Sequence, residues 1–290
     1  MPHADWEDFG FDGIGTRWEI TTPRPLDASV RSRLLALVER YDGVWSRFRP
    51  DSTVCAMSRQ PGRYELPDEA RALGDLYRSL YEITDGAMTP LIGGSLERLG
   101  YDAAYTLRPA GPPVPAPRWE DALDWDGSVL TTSVPLVLDI GAAGKGQLVD
   151  LLAAELRSSG RTDFLIDASG DLLHGGPDPI TVALEDPYDR TKAIGTVLLA
   201  GAALCASASN RRAWGDGLHH VLDGTTGRPV STAVATWTMA ESTVLADALA
   251  TALFFTPGAE LERIFDFSWL TVFSDGSAAY SAGFEGTLFT

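Results

Sequence analysis

The sequence has little cysteine and no long hydrophobic run. Its 290 residues contain only Cys55 and Cys205, which stand far apart, and this excludes a disulfide framework and the paired cysteines of a structural zinc site. No stretch of about 18 uninterrupted apolar residues occurs, and the acidic start at 1–8 lacks the basic and apolar segments of a secretion signal. We therefore predict a protein of the reducing cytoplasm that is not inserted in a membrane.

Basic residues are also scarce in this chain. Lysine and arginine total 23 against 40 aspartates and glutamates, so the formal net charge is -17. Nucleic acids and anionic membranes bind basic surfaces, and we expect neither as a partner. A small anionic ligand then needs local positive charge, which glycine-turn amides, a helix N-terminus, a lysine or a bound divalent cation supply.

Hydrophobic periodicity predicts a mixture of helices and strands. The segments with apolar residues at helical spacing are 26–41, 68–84, 147–158 and 241–255. The segments with strand-like patterns are 17–22, 128–132, 136–140, 164–167 and the tail 267–289. The proline-rich segment 109–117 suits neither element, and we expect a surface loop or a junction between two lobes there.

One segment, 138–150, combines the end of a strand, a glycine turn, Lys145 and the start of a helix. Glycines allow the backbone to approach an anion closely, and the helix that follows adds partial positive charge at its first turn. The segment is not a nucleotide-triphosphate P-loop, because Asp139 replaces the first glycine and Gly146 replaces the hydroxyl residue after the lysine. Two interpretations stay open, a phosphate-binding turn and a turn that only lets a helix and a strand pack closely.

In the last predicted helix, Asp247 and Thr251 are four residues apart and project from the same face. The neighbours of Asp247 are almost all apolar, and burial of a charged carboxylate without a partner is strongly unfavourable. We therefore expect a partner for Asp247. One alternative is a backbone amide or an arginine, with Thr251 bonded to its own helix. The other is a hard metal ion, bound also by a glycine-turn carbonyl and by phosphate oxygens of a ligand.

Two adjacent histidines, His219 and His220, lie in a short predicted strand that runs into a tight turn at 223–227. Neighbouring residues of a strand point to opposite faces, so at most one of the two is expected to face a pocket. Histidine is the natural general base near neutral pH, but a hydrogen-bonded structural histidine is the commoner case. Spacing alone does not decide between these two roles.

Three separated blocks together resemble the ApbE family of FAD:protein FMN transferases. The family's block ending in Ala-Lys-Gly is similar to 138–150, and its His-Ile-x-Asp-Pro-x-Thr-Gly-x-Pro block is similar to 220–229. Its Ala-Asp-Ala-Leu-Ala-Thr-Ala block is identical to 246–252. Weaker similarity extends over most of the chain, at 15–18, 46–52 and 84–91.

The resemblance implies an α+β fold in which helices pack on mixed or antiparallel sheets. It implies a single domain over residues 1–290, with two lobes that join near 109–117 and a flavin between them. It also implies roles for individual residues. The magnesium ligands would be Asp247, Thr251 and the backbone carbonyl of Gly144, and the residues along FAD would be Ala87, Met88, Thr89, Gly141 and Lys145. His220 would lie beside the phosphoryl group that is transferred.

The reaction that the resemblance implies moves FMN from FAD to a threonine or serine hydroxyl of a target protein and releases AMP. Positioning and charge neutralisation provide most of the catalysis in such a phosphoryl transfer. Magnesium would hold the diphosphate and Lys145 would stabilise charge on its oxygens. His220 would accept the proton of the hydroxyl or orient that group.

The chain departs from the family pattern at several positions. Thr89 replaces Asp, Gly144 replaces Ala, Gly224 stands where proline is common, and Ser169 and Asn210 replace glycines. These departures keep two alternatives open beside the transferase. One is a hydrolase that cleaves FAD to FMN and AMP with water as the acceptor, and the other is a flavin-binding protein without catalysis.

Overall fold

The computed structural model describes residues 5–289, so the first four residues of the acidic start lie outside the described part. Its helices are α1 Ala28–Trp45, α2 Thr53–Arg59, α3 Ala70–Ile83, α4 Gly93–Arg98, α5 Trp119–Ala122, α6 Gly144–Ser158, α7 Thr243–Ala252 and α8 Gly258–Leu261. A short 3₁₀ helix covers Pro90–Ile92. Between residues 5 and 289, no helix is long and apolar enough to cross a membrane.

The strands of the described residues are numbered in chain order. They are β1 Glu7–Gly13, β2 Thr16–Thr22, β3 Gly62–Glu65, β4 Leu123–Asp126, β5 Val129–Thr132, β6 Phe164–Asp167, β7 Asp171–Gly175, β8 Ile180–Glu185, β9 Ala193–Leu199, β10 Ala203–Ala208, β11 Ala213–Trp214, β12 Leu218–His219, β13 Leu222–Asp223, β14 Arg228–Pro229, β15 Ala233–Ala240, β16 Ser268–Phe273, β17 Ala278–Tyr280 and β18 Gly286–Leu288.

The largest sheet has the strand order β1-β2-β6-β7-β10-β15-β16-β17, and all of its neighbouring strands are antiparallel. Two smaller antiparallel sheets have the orders β18-β9-β8 and β3-β5-β4. The pairs β11-β12 and β13-β14 form short ribbons. The predicted α+β class with antiparallel sheets is therefore confirmed.

Both faces of the largest sheet are apolar, and each face is covered by a layer of its own. Helices α1, α6 and α7 pack on one face, and α3 packs against α7, in a core that includes Trp18, Leu34 and Leu148. The sheet of β8, β9 and β18 covers the other face, where Leu184 and Leu270 are fully buried. A sheet that is apolar on both sides needs this arrangement to remove its surface from water. The helix layer carries the residues of the glycine turn and of α7.

Most predicted elements are confirmed, with ends shifted by a few residues, and the segment 109–117 is irregular as expected. The prediction of a strand at 136–140 was wrong. The amide of Leu136 donates to the Met57 carbonyl at 3.1 Å and that of Asp139 donates to the Pro90 carbonyl at 2.8 Å. Because these amides bond to α2 and to the 3₁₀ helix instead of a neighbouring strand, the segment is extended but belongs to no sheet.

Helix α6 begins three residues before the predicted start at 147. The Gly144 amide donates to the Ile140 carbonyl at 2.8 Å, and the Gln147 amide donates to the Ala143 carbonyl at 3.0 Å. Gly144 and Lys145 therefore lie in the first helical turn and not in the loop before it. This position directs the partial positive charge of the helix N-terminus toward the site described next.

Candidate active site

Two adjoining cavities lie at the start of α6. The first cavity measures about 310 Å³ and the second about 510 Å³. Six residues line both cavities and mark their junction: Gly15, Tyr101, Asp139, Gly141, Lys145 and Arg212. The predicted site residues on the wall of the first cavity are Ala87, Met88, Thr89, Gly141, Lys145, His220, Asp247 and Thr251. Gly144 is the exception, since it lines the second cavity.

The glycine turn is held by Asp139, the residue that distinguishes it from a P-loop. Its carboxylate accepts hydrogen bonds from the buried Arg47 side chain at 2.6 Å and from the Gly141 amide at 2.7 Å. Burial raises the pKa of Asp139, but Arg47 and the Gly141 amide outweigh burial and hold this pKa below its ordinary value. The Gly141 amide is thus used to shape the turn.

Lys145 is placed by a buried carboxylate that sequence analysis did not identify as a site residue. Its ammonium group forms an ion pair with Asp171, the first residue of β7, whose side chain is 1% exposed. Burial lowers the pKa of Lys145, but the charges of Asp171 and Asp247 raise it above its ordinary value, so the lysine stays protonated. Asp171 lies two residues after Ser169, which replaces a glycine of the family pattern, and this resemblance is the signal in the sequence that could have found Asp171.

Asp247 has the partner that its apolar surroundings require. Its Oδ2 atom accepts a hydrogen bond from the Gly146 amide at 2.9 Å. Burial, with a further contribution from the negative charge of Asp171, raises the pKa of Asp247 to about 7. Lys145 and the Gly146 amide act in the opposite direction. The carboxylate therefore has an amide donor but too little neighbouring positive charge to be fully ionised at neutral pH.

Helices α6 and α7 are in close contact at Gly146. A Cβ atom there would lie 2.3 Å from the Thr243 carbonyl oxygen and 2.8 Å from the Asp247 Cβ atom. One turn further along α6, the Asp150 carboxylate accepts from the amides of Thr243 and Val244, each at 2.9 Å. These contacts fix the first turn of α7 against α6, and they set the position of Asp247 relative to Lys145.

The other two oxygen atoms that the family resemblance assigns to a metal, those of the Thr251 hydroxyl and the Gly144 carbonyl, have partners in the protein. The Thr251 hydroxyl lies 3.4 Å from the Ser207 hydroxyl of β10. The Gly144 carbonyl accepts a hydrogen bond from the Tyr41 hydroxyl at 2.9 Å. Among residues 5–289, no group of three or more histidines, cysteines and acids is arranged to hold a metal ion. A metal in this site would therefore depend on one carboxylate with hydroxyl, carbonyl and ligand oxygens.

The two adjacent histidines face different surroundings. The Nε2–H group of the His219 ring donates a hydrogen bond to the Val230 carbonyl at 2.9 Å. His220 lines the first cavity, and its buried Nδ1 atom has no hydrogen-bond partner among residues 5–289. Burial, the charge of Arg212 and the neighbouring His219 lower the pKa of His220 to about 3. The imidazole is therefore neutral at pH 7, with a ring nitrogen that lacks a protein partner.

The loop at 84–89 is shaped by its own hydroxyls and by Gly224. The Thr84 hydroxyl accepts from the Met88 amide at 2.9 Å, and the Thr89 hydroxyl accepts from the Leu91 amide at 3.2 Å. The Gly224 amide donates to the Ala87 carbonyl at 2.8 Å. A proline at 224 has no amide hydrogen to donate, so this departure from the family pattern creates a contact between the turn and the loop.

The other departures affect the backbone differently. Ser169 has a φ of 59°, in the left-handed region that favours glycine, and its hydroxyl donates to the Arg17 carbonyl at 2.8 Å. Asn210 donates through its side chain to the Pro187 carbonyl and is not among the residues with positive φ. The two replacements of glycine therefore differ, because only Ser169 occupies a strained conformation.

The second cavity has aromatic walls, which sequence analysis did not find. Phe48 and Tyr105 stack with ring centroids 5.1 Å apart and planes 11° apart, and Tyr101 stacks on Trp214 at 5.5 Å. The Arg47 guanidinium lies over the Phe48 ring at 4.2 Å from its centroid. These residues come from separate parts of the chain, and no local pattern indicates that they meet. Their planar faces suit a flat conjugated ring.

Comparison with known proteins identifies relatives of this chain. The model of the ApbE family matches residues 14–268. A FAD:protein FMN transferase of Rhodobacter capsulatus is 28% identical over 264 residues, which are 83% of this chain and 49% of that protein. The enzyme of the same name from Escherichia coli K12 is 26% identical over 271 residues, 83% of this chain and 75% of its own length. The chain thus spans about half of the first relative and three quarters of the second.

Solved structures share the fold. The ApbE protein of Thermotoga maritima superposes with a TM-score of 0.81 at 22% identity, covering 97% of this chain and 99% of its own. The apo flavinyl transferase ApbE of Pseudomonas stutzeri superposes with a TM-score of 0.77 at 23% identity, covering 96% and 95% of the two chains. The α+β architecture expected from the sequence is the architecture of these proteins.

Proposed function

The chain belongs to the ApbE family, and from that premise we propose that it transfers FMN from FAD to a threonine or serine hydroxyl of a target protein and releases AMP. The observation that carries the proposal is the first cavity, which is lined by the loop at 87–89, Lys145, His220, Asp247 and Thr251. The scarcity of cysteine, with Cys55 and Cys205 both free, supports the further proposal that the chain works in the cytoplasm.

The shape of the site supports FAD as the substrate. FAD carries two ring systems joined by a diphosphate, and the first and second cavities of the described residues meet at Lys145. The helix N-terminus at Gly144 and the protonated ammonium of Lys145 provide positive charge at this junction. We propose that the diphosphate binds here, with one ring system in each cavity and the flavin between two lobes joined near 109–117.

The residues present fit a magnesium ion. Asp247, Thr251 and the Gly144 carbonyl would hold it through hard oxygen atoms, the ligand class that magnesium prefers. The buried Oδ1 atom of Asp171 has no hydrogen-bond partner in the described chain, and burial with the charge of Asp171 raises the pKa of Asp247, so the charges of these two buried acids are not fully compensated. When bound, magnesium supplies charge neutralisation at the diphosphate.

The residues of this chain supply positioning for an in-line transfer. The acceptor hydroxyl oxygen forms a bond to the FMN phosphorus, the bond from that phosphorus to the bridging oxygen of AMP breaks, and the hydroxyl proton passes to solvent. His220 is neutral at pH 7 and accepts a hydrogen bond from the hydroxyl, which orients its oxygen. Lys145, held by Asp171, stabilises charge on the phosphate oxygens.

The test is incubation of the protein with FAD, magnesium and a peptide that carries a threonine, followed by mass spectrometry. Peptide with an added FMN, together with AMP, supports the transferase. Free FMN and AMP with unmodified peptide would instead indicate a FAD hydrolase, and bound FAD without AMP would indicate a binding protein.

The Asp247→Ala variant tests the metal assignment in the same assay. We expect magnesium-dependent transfer to be lost, because the only carboxylate among the proposed ligands is removed. The exposed Asp178 is the control, and Asp178→Ala should retain full activity. Normal turnover by Asp247→Ala would show that Asp247 is not a metal ligand.

A further inference from the structure

Two consecutive arginines, Arg211 and Arg212, differ in their partners. Arg211 is exposed and forms an ion pair with Glu185 at 3.1 Å. Arg212 is half-buried, lines both cavities and makes no side-chain hydrogen bond or ion pair with any residue between 5 and 289. A partly desolvated guanidinium without an acid partner needs water or a ligand to complete its hydrogen bonds, so Arg212 is free to bind an anion that enters the cavities.

The backbone holds Arg212 rigidly at the junction of the cavities. Strand β11, which follows Arg212 directly, pairs with β12, and the His220 amide extends this ladder by donating to the Arg212 carbonyl at 3.2 Å. Trp214 anchors β11 because its indole donates to the Leu99 carbonyl at 2.9 Å and its ring stacks on Tyr101. One hydrogen-bonded pair of residues thus brings a guanidinium and the His220 imidazole to the same site.

The other cations near the junction already have acid partners. Lys145 pairs with Asp171 and Arg47 pairs with Asp139. Of the two cations that line both cavities, only Arg212 has no acid partner within the described chain. Its charge also acts on neighbouring groups, since it helps to lower the pKa values of His220 and Asp139.

We propose that Arg212 binds the diphosphate of the dinucleotide at the junction, together with Lys145. The guanidinium presents several N–H donors in a planar fork that matches two phosphate oxygens, whereas the ammonium of Lys145 acts as a compact charge. The two cations come from different elements, the β11–β12 ribbon and α6, so a bound diphosphate would link these elements. This inference rests on the proposed FAD substrate.

The test compares Arg212→Gln, Arg212→Lys and the control Arg263→Gln, an exposed arginine that lines neither cavity, by calorimetric titration with FAD, ADP and riboflavin. We expect Arg212→Gln to weaken FAD and ADP binding about tenfold or more, because a charge-assisted hydrogen bond is lost. Riboflavin, which has no phosphate, should bind all variants equally. Arg212→Lys should bind FAD with intermediate affinity, and Arg263→Gln should bind it as the unaltered protein does.

Two results would overturn the assignment: unchanged affinity of Arg212→Gln for FAD and ADP, or an equal loss of riboflavin affinity, which would indicate a structural role. If Arg212→Gln is not folded, as judged from its thermal unfolding, Arg212→Lys decides the question through the same comparison of FAD with riboflavin. The transferase proposal is tested separately. Arg212-dependent binding of FAD without transfer to any peptide supports the role of Arg212 while refuting the transferase.

Discussion

Substitution of Gly146 by alanine tests whether close contact between α6 and α7 builds the site. The new Cβ atom would lie 2.3 Å from the Thr243 carbonyl oxygen and 2.7 Å from its carbonyl carbon. Favourable contacts between such atoms require about 3.5 Å, so the helices must separate by about 1 Å. The nearest atoms belong to backbone, and no side-chain rotation relieves the clash.

The expected loss of stability follows from two opposing effects. Overpacking of a tight interface costs about 1 to 3 kcal/mol, and the upper part of this range applies because backbone must move. Alanine in place of glycine stabilises a helix by about 1 kcal/mol. We therefore expect Gly146→Ala to lower the free energy of unfolding by about 2 kcal/mol. The displacement also stretches the 2.9 Å hydrogen bond from the residue 146 amide to Asp247, so FAD turnover should fall as well.

Gly43 provides a control with the opposite expected sign. It lies inside α1, and no heavy atom lies within 4 Å of the position of an added Cβ atom. Gly43→Ala should therefore raise the free energy of unfolding by about 1 kcal/mol, through helix propensity alone. Urea denaturation monitored by circular dichroism measures both variants. A Gly146→Ala protein that is as stable as Gly43→Ala would refute the reasoning.

Two further predictions concern buried charges near the cavities. The pKa of His220 falls from 6.5 unfolded to about 3 folded, so stability is fully present above pH 6.5 and is lost as the pH falls toward 3. Between neutral pH and pH 5, the free energy of unfolding should therefore fall by about 2 kcal/mol because of His220, and the His220→Asn variant should not show this fall. Parallel pH dependence of the two proteins in urea denaturation would contradict this. Asp171→Asn should cost about 3 kcal/mol, because Lys145 loses its partner in a buried pair. In the same measurement the double variant with Lys145→Met should be less destabilised than the sum of the single variants, and additive effects would refute the coupling.

Local patterns were sufficient for the elements that carry the site. The four-residue spacing of Asp247 and Thr251 placed both on one helix face, and both residues line the first cavity. The apolar neighbours of Asp247 required a partner, which the Gly146 amide provides. Such conclusions hold because both inferences use residues close together in the chain. The spacing of two residues sets the helix face that they share, and apolar neighbours indicate that a charged residue is buried and needs a partner.

Local sequence patterns did not predict the contacts between distant segments of the chain. The segment 136–140 has the alternation of a strand, but its partners are α2 and the 3₁₀ helix, so it joins no sheet. The aromatic walls of the second cavity and the pairing of Asp171 with Lys145 likewise depend on residues from separate elements. Only the folded chain brings these groups together.

The sequence by itself determined the α+β class, the family and the helix that presents Asp247, because periodicity and short motifs are properties of contiguous residues. The tertiary structure decided which charges are paired. Arg211 and Arg212 are identical side chains in adjacent positions, yet one meets Glu185 and the other faces the junction of the cavities without an acid. Pairing depends on distances between distant elements, and those distances exist only once the sheets and helices have packed.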